Sequence, residues 1–146
     1  LSRSGTILGL DGNKMSKSRG NTIELGMTAD ETAKLLKRAV TDSDRHITYD
    51  PVNRPEVSNL VNITAMCLDR TPEDVAEEIG DGGGGGLKKL ATAAVNDHFA
   101  SHRAFRAELM ADPSALRDVL RAGNERANAV AEATLAEVRQ AMSMDY

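Results

Sequence analysis

The chain has 146 residues, 40% hydrophobic and 27% charged, within the range of a single globular unit able to bury one core. Its formal net charge of -4 excludes a uniformly cationic surface for non-specific nucleic-acid binding, so any RNA contact needs a local basic face. The single cysteine, Cys67, excludes an internal disulfide and fits a reducing, cytoplasmic setting, and no second Cys or His-rich cluster supplies a zinc site.

Aromatic residues make up only 3%, without Trp, while Ala, Leu, Glu, Arg and Met are plentiful, so a mainly helical body is expected. No apolar run is long enough for a signal peptide or a membrane span, which reads as a soluble protein. The sequence starts without Met, inside an apolar stretch, and reads as a piece of a longer chain.

Thr6, Ile7, Leu8, Gly9 and Leu10 form a β-branched and apolar run ending at the turn signature Asp11-Gly12-Asn13, the pattern of one buried strand. Its sheet partners are expected upstream, and residues 1–27 should be mobile or displaced where those partners are missing. Thr28-Ala29-Asp30-Glu31 is a capping box opening a helix to about Val40, with Leu35, Leu36, Ala39 and Val40 on its apolar face. Ile47 to Pro55, with two prolines, reads as irregular. From Glu56 to about Leu68, Val57, Leu60, Val61, Ile63, Thr64 and Cys67 recur at helical spacing and give a mostly buried helix with Cys67 as a core thiol. Thr71 caps the next helix, Pro72 takes its first position, and it ends near Gly80.

Residues 82–86 are five consecutive glycines and read as a mobile loop; no Lys-Ser/Thr ending of a phosphate-binding P-loop follows them. Leu87 to about Ala111 then reads as one long amphipathic helix, and Ser114 to about Met142 as a second whose apolar stripe can face the first. Arg103, Arg106, Arg117, Arg121, Arg126 and Arg139 lie on helices rich in acids and read as solvated or salt-bridged faces.

The stretch with chemical content is Asp11-Gly12-Asn13-Lys14-Met15-Ser16-Lys17-Ser18, which packs two lysines and two hydroxyls into five residues after a glycine turn. Such a loop can close over phosphates. Displacing pyrophosphate from ATP asks for neutralisation of charge between the α- and β-phosphates, which placed ammonium groups and hydroxyls supply.

Lys14-Met15-Ser16-Lys17-Ser18 matches, letter for letter, the KMSKS signature of class I aminoacyl-tRNA synthetases. With Asn21-Thr22-Ile23, Val40-Thr41-Asp42-Ser43, Tyr49-Asp50-Pro51, Arg54-Pro55-Glu56-Val57-Ser58-Asn59-Leu60, Leu87-Lys88 and Gly123-Asn124-Glu125-Arg126-Ala127, the chain resembles the carboxy-terminal portion of the tryptophanyl-tRNA synthetase family over nearly its whole length. The resemblance implies a fold that is mainly α, a helical anticodon-binding bundle over residues 28–146, preceded over residues 1–27 by a strand and loop from the end of a Rossmann-type catalytic domain. It implies that ATP, with Mg²⁺, is bound by Lys14, Met15, Ser16, Lys17 and Ser18. Lys14 and Lys17 would be catalytic at the departing pyrophosphate, Met15 would anchor the loop, and the Ile7 backbone would lie by the adenine.

The family's first signature, of the His-x-Gly-His kind, is absent: His46, His98 and His102 lie outside any such loop. The chain therefore carries half of an ATP site, and should be inactive alone. The resemblance further implies tRNA(Trp) and L-tryptophan as partners, the latter through an upstream domain, with a homodimeric full-length enzyme and a monomeric piece. A non-catalytic RNA- or protein-binding helical module, and a paralogue with another amino-acid specificity, are the competing readings.

Overall fold

The structure is a computed structural model and describes residues 7–144. Thr6 of the expected strand lies outside the described residues. Six α-helices follow one another: α1 (Ala29–Lys37), α2 (Pro55–Leu68), α3 (Pro72–Ile79), α4 (Gly83–His98), α5 (Ala100–Ala111) and α6 (Pro113–Ala141). One compact unit runs up to Arg103 and a second begins at Ala104.

The core of the first unit is built on α2 and α4, which α1 and α3 flank. Leu36 from α1, Val57, Leu60 and Val61 from α2, Val75 from α3, and Leu87 and Val95 from α4 are almost wholly removed from solvent, with Ile47 from the preceding loop. Each such side chain contributes about 1.5–3 kcal/mol by its burial. Cys67 is half-buried at the edge of this core, and burial pushes its thiol pKa up, so the group behaves as a small hydrophobe.

Helix α1 opens as the sequence reading expects. The Glu31 amide donates to Thr28 Oγ1 at 3.2 Å, and the Thr28 amide donates to Glu31 Oε2 at 2.8 Å. Those hydrogen bonds from Thr28 hold the Glu31 carboxyl below its ordinary pKa. The helix stops at Lys37, earlier than expected, because Val40 turns its amide to the Leu10 carbonyl at 2.8 Å instead of continuing the helical ladder. Helices α2 and α3 both begin with proline at the first position, and Thr71 caps α3 by accepting from the Asp74 amide.

Three expectations are corrected. No strand occurs among the described residues: Ile7 and Leu8 lack strand pairing, and the Leu8 backbone bonds instead to a side chain, that of Asn59 in α2. Residues 7–27 are consequently seated on the helices, with Leu10 in the core and Asn21 buried.

The glycine run is not a loop, since Gly83 to Gly86 make the first turn of α4. The reason is close packing. A Cβ on Gly84 would lie 2.7 Å from Thr41 Oγ1, so only glycine lets this turn approach residue 41.

The long helix expected from Leu87 is broken at Phe99, which divides α4 from α5. Phe99 packs its ring partly into the core, and its ring stands edge-on to His98 and His102. In the second unit α6 runs for 29 residues and buries none of its side chains. Its expected apolar stripe is therefore exposed, with Val119, Leu120 and Val130 each more than half open.

Candidate functional site

The KMSKS segment is held by a set of local backbone bonds organised around one buried side chain. Asp11 forms an Asx turn, accepting at Oδ1 from the Asn13 amide at 3.0 Å, and the Gly9 amide donates to the Asn13 carbonyl at 2.7 Å. The chain then passes through Lys14, Met15 and Ser16 into a single turn of 3₁₀ helix, Lys17–Arg19, whose Gly20 amide returns to the Lys17 carbonyl.

Asn21, only 4% exposed, is the hub. Its Nδ2 donates to Asp11 Oδ1 at 2.7 Å and to the Lys14 carbonyl at 3.1 Å, while its Oδ1 accepts from the Ser16 amide at 2.9 Å. The turn before the signature and the signature itself are thus fixed by one carboxamide. A Cβ on Gly9 would stand 2.3 Å from Asn21 Nδ2, so the close approach requires glycine there. The hydrogen bond from Asn21 is also the main cause that holds the Asp11 carboxyl below its ordinary pKa, with the Asn13 amide next.

The signature side chains divide into groups. Lys14, Met15 and Ser16 line an open recess of about 520 Å³ together with Asn13 and Arg19. Lys17 and Ser18 are exposed and do not line it, although the Ser18 hydroxyl lies 2.7 Å from the Ser16 hydroxyl. Ile7 lies elsewhere, lining an apolar cavity of about 430 Å³ with Met15, Cys67 and Phe99. Met15 is the residue shared by the recess and the cavity, a position suited to anchoring the loop.

The sequence signal for Arg19 is a third cation close after the pentad. Asn21 belongs to one of the stretches that carry the resemblance, and its role as hub depends on a buried position that spacing does not reveal. The recess presents ammonium, guanidinium and hydroxyl groups and no carboxylate, the donor set for a polyanion. Among the described residues no group of three His, Cys, Asp or Glu side chains is placed to hold a metal ion.

Of the helical arginines, Arg103 is partly buried and bonded to neutral groups rather than ion-paired. Its guanidinium donates to the Met27 carbonyl at 3.0 Å, the Thr32 hydroxyl at 3.0 Å and the Asn96 carbonyl at 3.3 Å, which fastens the segment after the loop to α4. Arg121 does pair with Asp118, at an exposed site.

Residues 3–100 match the family model described as tRNA synthetases class I (W and Y). Tryptophan--tRNA ligase of Thermosynechococcus vestitus is 41% identical over 131 residues, covering 88% of this chain and 40% of the relative. Tryptophan--tRNA ligase 1 of Streptomyces coelicolor is 38% identical over 115 residues, covering 79% and 34% respectively. Among solved structures, tryptophanyl-tRNA synthetase from Campylobacter jejuni, complexed with ADP and tryptophan, superposes with a TM-score of 0.78 at 27% identity, over 98% of this chain and 45% of that one. The chain thus spans less than half the length of the relatives it matches.

Proposed function

Because the chain belongs to the tryptophanyl-tRNA synthetase family, we propose that it is the loop-bearing and helical part of a tryptophan-tRNA ligase, which activates tryptophan with ATP and transfers it to tRNA(Trp). The observation that carries this reading is the complete KMSKS pentad on a loop whose Lys14 and Ser16, with Arg19, border an open, carboxylate-free recess. The sequence class of the relatives and the donor chemistry of the recess point the same way.

In this reading the tryptophan carboxylate attacks the α-phosphorus of ATP, an oxygen–phosphorus bond forms, and the bond to pyrophosphate breaks. Lys14 and Lys17 neutralise the charge that accumulates on the departing pyrophosphate, and the hydroxyls of Ser16 and Ser18 donate to it. Met15 seats the loop against the apolar cavity, and the backbone at Ile7 borders the adenine. Mg²⁺, where it accompanies ATP, would be held by the triphosphate and would share the neutralisation of its charge with Lys14 and Lys17. The terminal ribose hydroxyl of the tRNA then takes the aminoacyl group and releases AMP.

Residues 1–27 are assigned to the end of the Rossmann-type catalytic domain, and residues 28–146 to the helical tRNA-binding domain. The full-length ligase is a cytoplasmic homodimer that takes tryptophan in its upstream part. No helix among the described residues is long and apolar enough to cross a membrane.

The experiment is ATP–pyrophosphate exchange by the full-length protein with each amino acid in turn. Exchange driven by tryptophan supports the reading. Exchange driven by another amino acid identifies a paralogue of different specificity, and no exchange with any of them leaves a non-catalytic binding module.

A further inference from the structure

A second recess, sharing no residue with the KMSKS loop, lies between α1 and α4 and has a volume of about 510 Å³. Lys37 from α1 and Lys88 and Lys89 from α4 stand around it, and the small residues Ala33, Gly85 and Ala93 make up much of the remaining wall. No carboxylate lines it, and among the described residues none of the three lysines forms an ion pair. The Asn96 carboxamide ties the two helices at the groove's end, donating to the Ala29 carbonyl at 3.2 Å.

Three unneutralised ammonium groups around one groove stand out in a chain of net charge -4. An anion seated in the groove would be attracted by all three ammonium groups at once. Lysine is a point charge on a flexible stem that binds phosphate without a fixed fork, so three of them along one groove suit the repeated charges of a polyanion. Small residues along the wall leave room for a polymer backbone to approach the ammonium groups.

We infer that the groove between α1 and α4 docks the phosphodiester backbone of RNA, through Lys37, Lys88 and Lys89. The inference rests on the reading of the protein as a tRNA ligase for the identity of the RNA, but not for the chemistry of the groove. Phosphate contacts of this sort position the RNA and carry no base specificity.

The test compares the full-length protein with its triple variant Lys37→Gln, Lys88→Gln, Lys89→Gln, measuring binding of a fluorescent tRNA(Trp) transcript over a salt series. Each phosphate contact removed should lower the slope of log affinity against log salt by about 0.7–0.9, so the triple variant loses roughly 2 from the slope and roughly tenfold or more in affinity at low salt. Tryptophan-dependent ATP–pyrophosphate exchange, which needs no tRNA, should stay unchanged.

An unchanged slope and affinity in the triple variant, or no tRNA binding by the unaltered protein, overturns the groove. Equal loss of binding to polyglutamate and to tRNA overturns the assignment to RNA and makes the groove a general polyanion site. Absence of exchange in both proteins, with the slope still lowered, refutes the ligase reading and leaves the groove standing. The double variant Lys37→Gln, Lys89→Gln spares the half-buried Lys88, and should lower the slope by roughly 1.5 should the triple variant misfold.

Discussion

Asn59 meets the backbone of Leu8 with both ends of its carboxamide, accepting from the Leu8 amide at 2.9 Å and donating to the Leu8 carbonyl at 3.1 Å, across 51 residues of sequence. A side chain of α2 thereby does for this extended segment what a neighbouring strand would do in a sheet. Asn59 is 9% exposed, so water does not easily replace these bonds. Asn59→Leu should destabilise the fold by about 1–3 kcal/mol, the cost of leaving buried backbone groups unmatched. Urea denaturation measures the loss, and amide exchange should show it concentrated at Leu8. Undiminished protection of the Leu8 amide in the variant would contradict the account.

The hub of the loop gives a second prediction, with a pH signature. Asn21→Ala removes the carboxamide that joins Asp11, Lys14 and Ser16. With its principal hydrogen bond gone, the Asp11 carboxyl should titrate at a higher pH, nearer the ordinary aspartate range. Carbon-detected NMR titration of Asp11 in both proteins checks the direction. A downward or absent movement would show that Asn21 does not stabilise the ionised form.

Arg54 carries a third. Its guanidinium donates to both carboxylate oxygens of Asp42, at 2.7 Å each, and to the His46 carbonyl and the Thr48 hydroxyl. Planar, forked geometry of this kind is not reproduced by lysine, so Arg54→Lys should lose most of the stability that Arg54→Ala loses, about 2 kcal/mol. The Asp42 carboxyl is held below its ordinary pKa chiefly by Arg54. A depressed folded-state value means that this stabilisation is present above the unfolded pKa and fades as pH falls through the folded one. Asp42→Asn should therefore flatten the acid limb of stability against pH below about 4, the ordinary aspartate value.

The glycine run tests local packing by contrast. At Gly84 a Cβ meets Thr41, while at Gly85 it meets nothing within 4 Å. Gly84→Ala should destabilise by about 1–3 kcal/mol through overpacking, whereas Gly85→Ala should stabilise by about 0.4–1 kcal/mol by restricting the unfolded chain. Thermal unfolding of the two variants separates a helical turn from a mobile loop, in which neither change would matter.

Local signals were legible where chemistry and structure sit in adjacent residues. Thr28 and Glu31 form their box, Pro55 and Pro72 open their helices, and the pentad from Lys14 to Ser18 is evident from its letters alone. What escaped depends on distant partners. Ile7 and Leu8 have a strand's composition, yet the group that bonds Leu8 is an asparagine in α2, which period-two patterning cannot anticipate. Five glycines signal freedom in isolation, and only the nearness of Thr41 explains why Gly84 lies in a helix. By sequence Arg103 reads as one more surface cation, but its partners are carbonyls and a hydroxyl from three other places in the chain.

Lys17, proposed to act at the departing pyrophosphate, is the residue on which the ligase function of the KMSKS loop is tested most directly. Single-turnover formation of tryptophanyl adenylate by the full-length protein and its Lys17→Ala variant measures that role without interference from tRNA. The expected result is a rate lowered by roughly 10²- to 10³-fold, the scale of losing one positioned donor to developing charge, with the affinity for tryptophan little changed. A variant that forms adenylate at the unaltered rate would contradict the function assigned to this loop.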